Sequence, residues 1–181
     1  MHQRLAEISE YLAQQRRAVL DAASAVPSDR WQEQPAPDRW SVSQILEHLH
    51  MVERSATGAL AKRIAAARDE GVAAEMETTS LLGALDATAV SDRSRTLVAP
   101  ERATPTTNPD RATVERQLAE SRAALEAALQ SADGLALGTV RMPHPRLGDL
   151  DVYQWFLFIG VHERRHREQI EEVSAQMASR S

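Results

Sequence analysis

Apolar side chains recur at three- and four-residue spacing in four long segments of the chain, which predicts four amphipathic helices. These segments cover residues 2–25, 42–69, 111–132 and 151–178. Ser41 and Gln44 form the pattern of a capping box at the start of the second segment, and Pro27 and Gly134 follow the ends of the first and third. No segment shows the alternation of a strand, so we predict an all-α fold.

The connections between these helices are rich in proline and glycine. Residues 71–109 form the longest connection, and a structureless loop of that length is unusual in a compact domain. We therefore expect a short helix near residues 81–87. A connection this long also allows the second and third long helices to run parallel. Residues 27–40 and 133–150 are expected to be loops.

Length and composition narrow the class of protein. The 181 residues fit one domain, 1–181, and the net charge of −5 argues against a nucleic-acid partner. There is no cysteine, so neither a disulfide nor a thiolate metal site is available. No apolar run is long enough to span a membrane and no signal-peptide pattern begins the chain. We expect a cytoplasmic protein with no membrane partner.

Three histidines fall on the apolar faces of two predicted helices. His162 and His166 are four residues apart, so their imidazoles lie on one helical face, with the Cβ atoms about 6 Å apart. His48 shares the apolar face of the second helix with Ile45 and Val52, whereas His50 is expected to face solvent. If the two helices are neighbours, three imidazoles converge, and a bound cation would relieve the cost of burying them. The sequence thus predicts a metal site of His48, His162 and His166.

Two other interpretations remain open at this point. Histidines on an apolar face can be structural core residues. The run from His162 to His166 also matches the H-E-x-x-H signature of zinc proteases, in which Glu163 would be the general base. That match is weak, because no third ligand follows at a suitable spacing before the end of the sequence and no strand is predicted to hold a peptide.

Two stretches of the sequence resemble the DinB/YfiT-like superfamily. One is RWSVSQILEHL at residues 39–49, and the other combines HPRLG at residues 144–148 with Trp155 and HERRHREQI at residues 162–170. The resemblance implies a four-helix bundle with an up-down-down-up course and a long crossover between helices 2 and 3. It also implies a divalent metal held by one histidine of the second helix and two of the fourth, which are again His48, His162 and His166, and a homodimer.

Characterised members of that superfamily look like metal-dependent thiol transferases and isomerases. We therefore expect a small-molecule substrate, a divalent ion (zinc or nickel first, iron as a further option) and a low-molecular-weight thiol cosubstrate. A metal lowers the pKa of a bound thiol and so yields the thiolate near neutral pH. A metal-dependent hydrolase and a non-catalytic, stress-related metal-binding bundle are the alternatives.

Several residues are weaker candidates for a role at this site. Glu163 could orient a ligand or act as a base, or could be a solvated charge. Gln169 could line the site or bond to a neighbouring helix, and His144 could lie at the pocket mouth or on an ordinary surface loop. Arg141, Arg146 and Arg165 could bind an anionic substrate.

Overall fold

The computed structural model describes residues 1–94 and 98–179, and this part of the chain is mostly helical. It contains five α-helices: α1 (Gln3–Ser24), α2 (Val42–Asp69), α3 (Thr88–Ser91), α4 (Arg111–Ser131) and α5 (Val152–Ala178). A two-stranded sheet of β1 (Arg141–His144) and β2 (Gly148–Asp151) and three short 3₁₀ turns, at Ser28–Arg30, Glu101–Ala103 and Leu137–Thr139, complete it. The four predicted helices are α1, α2, α4 and α5, each within one residue of the expected bounds at either end.

The two helices that carry the clustered histidines both begin at a capping box. Ser41 accepts a hydrogen bond from the backbone N–H of Gln44, whose side chain bonds back to the N–H of Ser41. Asp151 and Gln154 make the same reciprocal pair at the start of α5. Because these bonds satisfy N–H groups that the helix itself cannot, they fix where each helix starts.

The long helices pack in two pairs that meet at α2 and α5. α1 packs along α5, α2 packs along α4, and α2 also contacts α5. α1 and α5 approach closely at Gly160, where a methyl group would stand 2.3 Å from Cε1 of Tyr11. The contact between α2 and α5 brings the helix of His48 against the helix of His162 and His166.

The apolar core falls into two clusters separated by polar residues. On α1 one cluster ends at Leu12 and the other begins at Val19, with buried Arg16 between them. On α2 the same division falls between Leu49 and Ala56. Burying each such leucine or valine contributes about 1.5–3 kcal/mol. Polar groups between the clusters must find partners inside the protein.

Two expectations for the connections are wrong in detail. Residues 141–150, expected to belong to a loop, form an antiparallel hairpin with Asp151, in which Arg141 pairs with Asp151 and His144 with Gly148. Gly148 has a φ of 73°, a value that glycine adopts without strain, and it ends the turn. The short helix of the long connection is α3, which starts at Thr88 and not near residue 81. Leu81 is nevertheless buried, outside any helix.

Among the described residues, no helix is both long enough and apolar enough to cross a membrane.

Candidate metal centre

α2 carries His48 into the middle of the bundle. The residue follows the cap at Ser41 by two helical turns and is buried, with 4% of its surface exposed. The ring of Trp40 lies 5.0 Å from that of His48 between centroids. The cap and this packing together restrict the position of the imidazole.

α5 carries His162 and His166 on the face that meets α2. The ring centroids of these two histidines are 4.5 Å apart, and they lie 5.0 and 4.6 Å from that of His48. One nitrogen from each of the three rings can be chosen so that all lie within 4.8 Å of one another, and Nε2 of His48 is 3.1 Å from Nε2 of His162. The structure thus brings together the three residues that the sequence predicted.

This donor set fits a divalent metal ion. A tetrahedral ion about 2.1 Å from each nitrogen would place the nitrogens about 3.4 Å apart, which is close to the 3.1 Å between His48 and His162 and within the 4.8 Å that bounds all three separations. Three imidazoles would leave at least one coordination position for another molecule, which is the pattern of catalytic sites. Imidazole suits zinc, nickel, iron and copper, so the ligands alone do not select the metal.

Hydrogen bonds orient two of the three rings. Nδ1 of His48 donates to the carbonyl oxygen of Ala103 at 2.6 Å, and Nδ1 of His166 donates to Oε1 of Gln169 at 2.8 Å. A ring that donates through Nδ1 carries its free lone pair on Nε2 when it is neutral. Such partners are typical of histidines that bind metals, because they fix both the tautomer and the ring orientation.

The surroundings of the three histidines favour their neutral form. Burial lowers the pKa of His48, and it lowers the pKa values of His162 and His166 well below the usual value. Mutual repulsion between the imidazoles lowers the pKa of His162 further. The rings are therefore unprotonated at neutral pH, which is the state that binds a metal ion.

A cavity of about 840 Å³ opens beside the three histidines. Its apolar walls include Met51 on α2, Met142 on β1, and Trp155 and Phe158 on α5. The segment that follows residue 97 and leads into the turn at Ala103 forms another wall. A small molecule therefore has room next to the imidazoles, as an enzyme site requires.

Glu163 does not belong to this cavity. Its side chain is 2% exposed and accepts from Nε of Arg16 on α1 at 2.6 Å and from Nη2 of Arg122 on α4 at 2.9 Å. Both arginines also contact Glu53 on α2, which accepts in turn from Ser121. The expectation of a solvated charge is wrong, and the alternative role as a base at the metal finds no support, since the carboxylate is held in ion pairs.

Two other candidates, Gln169 and His144, belong to the site. Gln169 lines the cavity and bonds to His166, not to a neighbouring helix. His144 also lines the cavity, buried against the rings of Trp155 and Phe158, so it is not an ordinary surface histidine. His50 does not face solvent as expected but is half-buried, and its Nδ1 bonds to the carbonyl of Gln117 on α4.

The three arginines that were candidates for anion binding also separate. Arg146 and Arg165 line the cavity, whereas Arg141 does not and bonds to the carbonyl of Asp149 within the hairpin. Arg165 donates to the carbonyls of Val90 and Asp92 and so attaches the α3 region to α5.

The buried ion pairs between the four long helices were missed from the sequence. A signal was present in the apolar stripes, the rows of apolar side chains along one face of each helix. These rows skip one turn between Leu12 and Val19 on α1 and between Leu118 and Leu125 on α4. Arg16 and Arg122 occupy the skipped turns. A stripe with one polar turn indicates a buried polar residue whose partners lie on other helices.

Comparison with known proteins identifies relatives of the chain. The family model of the DinB superfamily matches residues 11–170, a range that includes all three clustered histidines. The chain is 30% identical over 146 residues to the uncharacterized protein YuaE of Bacillus subtilis (strain 168), an alignment that covers 80% of this chain and 83% of YuaE. No solved structure matches the chain significantly.

Proposed function

The chain belongs to the DinB superfamily, and we propose that it is a metal-dependent enzyme, a thiol (S-)transferase or an isomerase, that uses a low-molecular-weight thiol. His48, His162 and His166 would hold the metal through their Nε2 atoms. One observation carries the proposal: three imidazoles, two of them oriented through Nδ1, converge beside an open cavity.

The chemistry follows from the open position that three protein ligands leave. A divalent ion lowers the pKa of a thiol that occupies this position, which supplies a thiolate near neutral pH. The chain contains no cysteine, so the thiol would enter the cavity as a cosubstrate. Ala103 and Gln169 hold two of the rings in place, which limits the reorganisation that binding would require.

The surroundings of the site argue against one form of the hydrolase alternative, an enzyme of the H-E-x-x-H type. A hydrolase of the H-E-x-x-H type needs the glutamate of that motif as a base, and Glu163 is held by Arg16 and Arg122 away from the cavity. The other alternative, a non-catalytic metal-binding bundle, would be expected to fill the space beside the histidines with apolar side chains. The cavity of about 840 Å³ supports an enzyme instead.

Further parts of the proposal concern the architecture and setting of the protein. We propose an up-down-down-up course for α1, α2, α4 and α5 in one domain, 1–181. The core supports it: one apolar cluster takes the N-terminal halves of α1 and α5 and the C-terminal halves of α2 and α4, and the other cluster takes the opposite halves. A homodimer, a small-molecule substrate, a cytoplasmic location and zinc or nickel as the metal (iron as a further option) are proposed on the family resemblance.

Metal analysis tests the first half of the proposal. Untagged protein is reconstituted with zinc or nickel and analysed for metal beside His48→Ala, His162→Ala and His50→Ala. We expect about one ion per chain in the wild type and in His50→Ala, because His50 bonds to α4 outside the cluster, and loss of the ion in the other two variants. Equal metal content in all four proteins, or none in any, would overturn the site.

Cobalt substitution tests the second half. Cobalt(II) in the same site has visible absorption, and a coordinated thiolate adds a sulfur-to-metal charge-transfer band in the near ultraviolet. We expect this band when a small thiol such as 2-mercaptoethanol is added to the cobalt protein. A protein that binds one cobalt ion but shows no such band with any small thiol would refute the thiol chemistry while leaving the metal site intact.

A further inference from the structure

The cavity beside the histidines is much more basic than the protein as a whole. The chain has a net charge of −5, yet five arginines and only two carboxylates line this cavity. One of those carboxylates, Glu172, forms an ion pair with Arg93 and lies 3.8 Å from Arg39. A cleft with an excess of one charge concentrates small ions of the opposite sign.

Two of these arginines have no carboxylate partner in residues 1–94 and 98–179. Arg102 lies in the turn Glu101–Ala103 and is exposed, and its side chain makes no hydrogen bond to any residue that the structure describes. Arg146 lies in the hairpin turn, also exposed, and its Nη2 donates to the carbonyl of Val98 at 2.7 Å. Both guanidinium groups therefore keep donors available for a ligand in the cavity.

Both arginines are also tied by the backbone to the site. The residue after Arg102 is Ala103, whose carbonyl oxygen orients His48. The backbone N–H of Arg146 donates to Nδ1 of His144 at 3.2 Å. Both arginines line the same cavity as the three clustered imidazoles, so a ligand that they hold within it lies beside the proposed metal site.

His144 adds a neutral donor of fixed tautomer. Its Nδ1 accepts the N–H groups of Arg146 and Leu147, at 3.2 and 3.1 Å, so the proton of the neutral ring must lie on Nε2. The ring is 7% exposed and packs between Trp155 and Phe158. Its Nε2 has no hydrogen-bond partner in the described part of the chain, although the residue lines the cavity.

We propose that the cavity selects a thiol that carries a carboxylate, which Arg102 and Arg146 bind and to which His144 donates through Nε2, while its sulfur reaches the three-histidine site. The proposal rests on the proposed function and deepens it by naming the class of the thiol. Guanidinium groups bind carboxylates through two parallel hydrogen bonds, which gives orientation as well as affinity. A neutral or cationic thiol of equal length would gain neither.

The test compares acidic and neutral thiols on the cobalt(II)-substituted full chain. The probes are ω-mercapto acids from the propionate to the octanoate, each beside the ω-mercapto alcohol of the same length, and the charge-transfer band reports binding. In the wild type we expect at least one acid to bind about ten-fold or more tightly than its alcohol, an advantage that shrinks as salt is added. Cobalt content is measured in every sample.

Variants assign that preference to residues. Arg102→Gln and Arg146→Gln should each reduce the ratio of acid to alcohol affinity several-fold, the double variant should abolish it, and His144→Phe should reduce it. Arg141→Gln is the matched control, since Arg141 lies in the same hairpin but outside the cavity. Because ratios are compared, differences in thiol acidity cancel between proteins.

The possible failures are distinct. Absence of the band with acids and alcohols alike refutes the proposed thiol chemistry itself. If both classes of probe give the band but acids bind no more tightly than alcohols, the assignment of Arg102 and Arg146 is overturned. The same holds if the preference for acids survives in the double variant.

Discussion

Replacement of Glu163 by glutamine tests whether this carboxylate supports the fold or the chemistry. Oε1 of Glu163 accepts from Arg16 at 2.6 Å and from Arg122 at 2.9 Å, and both arginines are shared with Glu53. The four side chains carry two charges of each sign, so Glu163→Gln leaves two buried guanidinium groups beside a single carboxylate. We expect a large loss of stability and no loss of metal.

The size of this loss follows from the burial of the group. Breaking a buried ion pair by removing one partner costs about 3–5 kcal/mol, because a charge is left without compensation. Glutamine keeps one acceptor for an arginine, so we expect the lower end, about 3 kcal/mol. In a chain of this length, about 3 kcal/mol corresponds to a fall in Tm of roughly 6–12 °C.

Urea unfolding at pH 7, followed by circular dichroism on the metal-free proteins, measures this change. Glu171→Gln is the control, because Glu171 lies on the same helix but is exposed and pairs with Arg167 at the surface. It should change the free energy of unfolding by less than about 1 kcal/mol. If Glu163→Gln proved as stable as Glu171→Gln yet lost thiol binding to the cobalt protein, the assignment of Glu163 to the fold would be refuted.

Two further outcomes are expected. Gln169→Ala should weaken metal affinity about 10- to 100-fold, measured in competition with a chelator, because Gln169 orients His166. Replacement of Gln176, which is exposed on the same helix, by alanine should leave the affinity unchanged. Equal affinities in the two variants would contradict the role of Gln169. Burial, and to a lesser extent Arg146, lower the pKa of His144 from its usual 6.5 to about 4. The folded protein therefore disfavours the protonated ring. The stability that the neutral ring contributes is fully present above pH 6.5 and is lost as the pH falls toward 4. The difference in unfolding free energy between wild type and His144→Gln should therefore shrink by up to about 3 kcal/mol between pH 7 and 4, and a difference that stays constant would contradict the neutral buried ring.

The long helices and the histidine cluster were predictable because both depend on the period of one helix. The start of α2 at Val42 follows from a local pattern, in which Ser41 caps and Gln44 bonds back. His162 and His166 share a face of α5 for the same reason. Only the contact between α2 and α5, which brings in His48, required an assumption about packing that the structure supports.

Features that depend on contacts between distant segments were harder to predict. The strands of the hairpin are four residues long and contain Pro143, so they resemble a loop. Glu163 lies about 100° around α5 from His162 and would face solvent on a helix with one buried side. α5 is buried on several sides, because α1, α2 and α3 all contact it. The faces that a central helix buries depend on neighbours that its own sequence does not specify.

The bond from His48 to Ala103 has a consequence for how this family of sites can vary. The acceptor is a backbone carbonyl, so the bond does not depend on a functional group of the side chain at position 103, and an alanine scan of the connection between α2 and α4 would not reveal it. What the histidine requires is the path of the main chain through the turn Glu101–Ala103. Substitutions along this connection that leave the course of the turn unchanged should therefore not affect the imidazole, whereas a single deletion that shifts the turn would release it. In relatives, the length and course of this segment should be better preserved than its composition.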